Sequence, residues 1–107
     1  MILWSKAAAQ QLEDLDWYLI ENAPDAADAV MHRIHSGIGT LKDFPRAGRP
    51  GRVPGTRELV IPGTPYLVIY SFQRHDIMIV ALLHSLLARS SSVGGQKPWE
   101  LKHFLYL

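Results

Sequence analysis

Four arginines, Arg46, Arg49, Arg52 and Arg57, fall within twelve residues that hold no acid. A guanidinium is always charged and offers a planar fork of donors. Such a cluster can grip an anion, either nucleic-acid phosphate or the carboxylates of an acidic partner, and it equally suits a solvated loop. His84 is the second candidate, because an imidazole at a strand end can give or take a proton near neutral pH. It can also simply close the strand. Tyr66 and Tyr70 lie on an apolar alternation, so their rings suit either stacking on a ligand or core packing. Trp17, late in a helical stretch, is a candidate contact for a partner. His32 and His35 stand at i and i+3, but no carboxylate or third histidine follows on that face, so no metal site is expected.

Absences narrow the chemistry further. The chain of 107 residues contains no cysteine, which excludes a disulfide scaffold, a thiolate metal site and a cysteine nucleophile, and fits a reducing compartment. Gly48, Gly51 and Gly55 lack the strand–helix setting of a phosphate loop or dinucleotide fingerprint, so no cofactor is expected. No apolar run approaches the ~20 residues that span a bilayer, and no signal peptide is visible at the start. The expected address is the cytoplasm, with no membrane partner. At 48% hydrophobic and 20% charged, the composition is that of one ordinary globular domain.

The elements that must position these residues can be read from periodicity. Ile2-Leu3-Trp4 is a short apolar start that suits an edge strand. Ser5 is a natural N-cap for a helix over 6–21, whose stripe is Ala8, Leu12, Leu15 and Leu19. Pro24 suits the first turn of a second helix over 24–43, with Ala27, Val30, Ile34, Ile38 and Leu41 inward. Gly37 and Gly39 mark close helix contact or a frayed end. Residues 45–56 carry three prolines and three glycines, which no helix or central strand tolerates, so they form a long loop.

The period then changes to two, giving strands over 57–61, 66–72 and 77–84 with turns between them. Met78, Val80 and Leu82 are expected on one face of the last strand, with Ile77, Ile79, Ala81 and Leu83 on the other. Both faces are apolar. Two helices cover one, and the other calls for a partner chain, a second copy in a homodimer or the apolar tail at 96–107. Residues 1–43 hold seven acids against three bases, and residues 44–107 eight bases against three acids, so the charge is strongly polarised. The expected architecture is α+β: a short N-terminal strand and a two-helix hairpin packed on an antiparallel three-stranded meander. The domain is expected over 1–89, with an atypical tail at 90–107.

Several blocks in order carry a resemblance. Trp4-Ser5 opens a helix, and Asn22-Ala23-Pro24-Asp25-Ala26-Ala27 joins two helices. Phe44-Pro45-Arg46-Ala47-Gly48-Arg49 closes the second. Gly51–Leu59, containing Arg57-Glu58-Leu59, leads to Pro65-Tyr66-Leu67-Val68-Ile69-Tyr70 and a strand ending at His84. Over about residues 2–85 the chain resembles the RelE/ParE family, the toxins of bacterial type II toxin–antitoxin modules.

That resemblance implies an α+β toxin fold, a protein antitoxin encoded alongside, and growth arrest when the antitoxin is lost. The family divides between RelE-like members, which cut messenger RNA on the ribosome, and ParE-like members, which act on DNA gyrase. Lys6, Lys42, Lys97 and Lys102 all lie outside the loop and meander, and the Arg-Glu-Leu strand looks more ParE-like. A RelE-like endoribonuclease is the alternative. It would need an acid, a base and a phosphate clamp, for which His84 and Arg57 are the catalytic candidates. Arg46, Arg49, Arg52, Tyr66 and Trp17 are then the candidates for binding the target. Family members commonly follow this histidine with two residues and an arginine. Here His84-Ser85-Leu86-Leu87 places leucine there, which keeps open a third reading, an inactive module that only binds antitoxin.

Overall fold

The computed structural model describes residues 1–86. Strand β1 (Ile2–Trp4) is followed by helices α1 (Lys6–Asn22) and α2 (Pro24–Gly39) and a single 3-10 turn at Thr40–Lys42. Strands β2 (Arg49–Pro50), β3 (Arg57–Val60), β4 (Tyr66–Gln73) and β5 (Asp76–His84) complete one sheet of order β1-β5-β4-β3-β2. Only β1 runs parallel to its neighbour, β5; the other pairings are antiparallel. The expected α+β class, helix pair and meander are all present. The sheet has five strands, one more than the sequence indicates. The addition, β2, is two residues long and carries no period-two pattern, and its Pro50 is tolerated because it lies on a sheet edge.

Each helix starts and stops for local reasons. The Ser5 hydroxyl caps α1 by accepting from the Ala8 N–H at 3.0 Å. Ala23 breaks the helix with an extended φ of −147°, and Pro24 begins α2 where its missing N–H costs nothing. The inward line of α1 is Ala8, Gln11, Leu15 and Leu19, with Leu12 beside it and only partly buried. In α2, a Cβ on Gly37 would lie 2.8 Å from Ile61 Cδ1, so glycine lets the helix settle onto the sheet. Gly39 has open space and is simply the helix end.

Both helices pack on one sheet face. The main core joins Leu15, Ile34 and Leu41 to Val68, Tyr70, Ile79 and Leu82. The opposite face carries a second cluster of Leu67, Ile69, Ala81 and Leu83, which includes no helical residue. These four side chains are buried to 2% exposure or less. The expectations for 90–107 lie outside the described residues.

Strict alternation fails in β5. Ile69 pairs with Ala81 but Tyr70 pairs with Ile79, which leaves Val80 as an extra residue in a bulge. The bulge resets the parity. Ile77, Ile79 and Leu82 therefore face the helices together, correcting the alternation expected from sequence. Helix α1 holds the irregularity. Ser5 N–H donates to Ile79 O at 2.9 Å, Ser5 Oγ donates to Val80 O at 2.9 Å, and Gln11 Oε1 accepts from Leu82 N–H at 2.9 Å.

Candidate functional site

The arginine-bearing segment is folded onto the sheet rather than left loose. Tyr70 sits in the core with its hydroxyl beneath the segment, accepting from Gly48 N–H at 2.9 Å and donating to Pro45 O at 2.7 Å. Gly48 is buried there, and a Cβ would fall 2.8 Å from both Glu58 O and the Tyr70 ring. Glycine is required by this close approach. The chain then pairs as β2 with β3, with Arg49 opposite Glu58 and Pro50 opposite Arg57. Beyond it, Gly51 N–H donates to Thr56 O at 2.8 Å and closes a tight turn.

Glu58 is the buried charge of the region, 5% exposed. A buried carboxylate needs partners, and it has them. Its Oε1 accepts from Arg49 Nε at 3.3 Å and Nη2 at 3.1 Å, while Oε2 accepts from the Arg52 backbone N–H at 3.4 Å. Arg57 donates from Nη1 to Gly48 O at 2.7 Å. The Arg57 guanidinium also lies over the Phe72 ring at 5.8 Å, and that of Arg46 lies over the same ring at 5.5 Å.

The register divides the four arginines. Glu58 pairs with Ile69, so Arg49 and Glu58 share the face of the second cluster. Arg57 pairs with Tyr70 and shares the helix-bearing face with Phe72. Arg46 joins Arg57 over Phe72, whereas Arg52 is exposed on the turn. The arginines therefore form two groups rather than one cradle.

His84 lies elsewhere. It ends β5 half-buried, opposite Tyr66, with the two rings edge-on at 5.7 Å. Its Nδ1 accepts from Leu86 N–H at 3.1 Å, which leaves Nε2 to carry the proton of the neutral ring. Tyr66 and Phe72 are six residues apart on β4, about 20 Å at ~3.3 Å per residue. His84 and the Arg57–Phe72 group thus occupy opposite ends of the sheet. Concerted acid–base work on one phosphate requires groups within hydrogen-bond reach of the same atoms. This pair does not meet that condition.

Tyr66 is itself only 6% exposed, so its ring is core rather than an offered surface. Burial, and secondarily the nearby Tyr18, push its hydroxyl pKa above the ordinary 10.0. The folded chain then holds a proton that the unfolded chain releases. Stability is full below about pH 10 and falls as pH climbs from there through the raised folded value. Denaturant titrations at about pH 8 and about pH 11 are expected to show a steeper alkaline loss in the parent than in Tyr66→Phe.

Trp17 is 60% exposed and stands beside Ile20, at 47%, on the outer side of α1. Exposed Glu13, Asp14 and Glu21 surround them at helical spacing. His32 and His35 are exposed, and no group of three or more metal-binding side chains occurs among the described residues. Sequence reasoning missed Phe72 and Gln11. Phe72 looked like one more apolar strand position, although its even spacing from Tyr70 put it on the Arg57 face. Gln11 looked like a helix former, whereas its amide oxygen accepts from Leu82 N–H beside the bulge.

Comparison with known proteins agrees with this architecture. The family model described as the ParE toxin of the type II toxin–antitoxin system parDE matches residues 2–86. A protein of Sinorhizobium fredii named "Putative toxin Y4kP" is 37% identical over 84 residues, covering 78% of this chain and 86% of its own length. A solved structure of the chromosomal ParDE toxin–antitoxin system from P. aeruginosa superposes with a TM-score of 0.68 at 23% identity, covering 78% of this chain and 92% of that one. That match shows the shared fold. The family match over residues 2–86, with the helix pair and sheet just described, places this chain in the ParE family of type II toxin–antitoxin toxins.

Proposed function

We propose that the chain arrests growth by binding DNA gyrase, as a ParE-like toxin held in check by a protein antitoxin, and that it works by association rather than by cutting RNA. The observation that carries this reading is the separation of Arg57 from His84: Arg57 lies opposite Tyr70 with its guanidinium over Phe72, whereas His84 lies opposite Tyr66 at the start of the same strand. An endoribonuclease would need them on one phosphate; a binding protein has no such requirement. Exposed Trp17 and Arg52 then serve as contacts, since aromatic and arginine side chains carry much of the energy of protein interfaces. No helix among the described residues is long and apolar enough to cross a membrane, and gyrase places the site of action in the cytoplasm.

The test is direct association of the purified chain with immobilised gyrase. Trp17→Ala and Arg52→Glu, both at exposed positions, are each expected to weaken binding by ~10-fold or more, while His84→Ala leaves it unchanged. Absence of any gyrase binding by the folded parent chain contradicts the proposal.

A further inference from the structure

Phe72 stands between two clefts at the end of the sheet remote from His84. The first, about 350 Å³, has an apolar floor of Leu41, Pro45, Phe72 and Ile77, with Lys42 and Arg74 at its exposed rim. The second, about 330 Å³, passes Phe72 and Arg57 along Pro50 and Thr56. Two guanidiniums, those of Arg46 and Arg57, lie over the ring between them. Among the described residues, neither has a carboxylate within 4.0 Å. The one acid at the neighbouring turn, Asp76, is engaged at 3.6 Å by the N-terminal ammonium of Met1. Arg74 holds a φ of 58°, a conformation that glycine adopts without strain and arginine does not. The turn thus carries a cation at a backbone cost.

We propose that this end of the sheet is a docking site for an acidic peptide, an extended segment of a partner protein in which a carboxylate adjoins a bulky apolar side chain. Stacking on Phe72 pre-orders the two guanidiniums, and the N–H groups of Arg46, with those Arg57 keeps beyond its Nη1 bond to Gly48 O, match a carboxylate bidentately. The apolar floor of the first cleft takes the neighbouring side chain, and the rim cations take further carboxylates. Single-stranded nucleic acid fits less well. It relies on free aromatic faces for base stacking, and this ring is already engaged by guanidiniums. The site stands whether or not gyrase is the target.

The test uses the full chain and three labelled probes: a peptide of about ten alternating glutamate and leucine residues, its glutamine–leucine counterpart, and a short oligothymidylate, with binding read by fluorescence anisotropy. The acidic peptide should bind at least ~10-fold more tightly than the glutamine one, and less tightly as salt is raised. Arg46→Glu should reduce that binding ~10-fold or more, with Arg46→Lys intermediate because it keeps charge but loses the planar stack. Arg74→Gly, which relieves the turn and so folds at least as well, should reduce it several-fold. Circular dichroism and thermal midpoints confirm that each variant is folded. Equal binding of the glutamine peptide, preferential binding of the oligothymidylate, or unchanged affinity in both folded charge variants overturns the proposal.

Discussion

Tyr70→Phe is expected to lower the free energy of unfolding by about 2–3 kcal/mol, although it removes only one oxygen atom. That oxygen accepts from Gly48 N–H and donates to Pro45 O, and Gly48 is buried. Without it a main-chain donor is left without its partner away from water, and the tie between the core and the arginine segment is lost. At ~4–8 °C per kcal/mol for a domain of this size, the thermal midpoint should fall by roughly 10–20 °C. Tyr66→Phe is the matched control, because its hydroxyl makes no hydrogen bond to any described residue. It is expected to cost under ~1 kcal/mol near neutral pH. Equal midpoints for the two variants would show that the hydroxyl does not fasten the segment. The loss should also reach Arg57, whose Nη1 donates to Gly48 O.

Gln11→Met should cost about 1–3 kcal/mol while keeping the side-chain volume nearly constant. The amide oxygen of Gln11 is the acceptor for Leu82 N–H, the second ladder position after the bulged Val80. Methionine fills the space but offers no useful acceptor, so the strand N–H is left to fend for itself in the core. Leu12→Met, one residue along and only partly buried, is expected to change stability by well under ~1.5 kcal/mol. Chemical denaturation of the two variants side by side separates hydrogen bonding from packing. If Gln11→Met is no worse than Leu12→Met, the bulge is held by its own strand pairing rather than by α1.

Much of this scaffold is legible in the residues themselves. Helix α2 shows Ala27, Ile34 and Ile38 inward at helical spacing, as the sequence indicates, and β4 keeps its alternation throughout. Local rules suffice there because each element buries one regular face. They fail where tertiary contacts decide. A period-two reading cannot register a bulge, since one inserted residue shifts every later side chain to the other face. Arg49 and Arg57 look like neighbours in one basic cluster, but they belong to adjacent strands whose register turns them to opposite faces. His84 and Arg57 both read as phosphate chemistry, yet nothing local fixes how far apart the sheet holds them.

The separation of His84 from Arg57 gives the proposed mode of action a direct consequence. A toxin that binds gyrase should inhibit supercoiling in a purified reaction and leave messenger RNA intact on translating ribosomes. Replacing His84 by alanine should change neither result, because the proposed contacts are Trp17 and Arg52, and His84 is a half-buried ring at the end of β5. The decisive measurement is therefore to add purified chain and its His84→Ala variant to a gyrase supercoiling reaction and, in parallel, to translating ribosomes. Supercoiling inhibited equally by both proteins, with intact message, is the expected outcome. Cleaved message that disappears with His84→Ala, a loss of typically 10²–10⁴-fold for a removed proton-transfer group, would contradict it and establish an endoribonuclease instead.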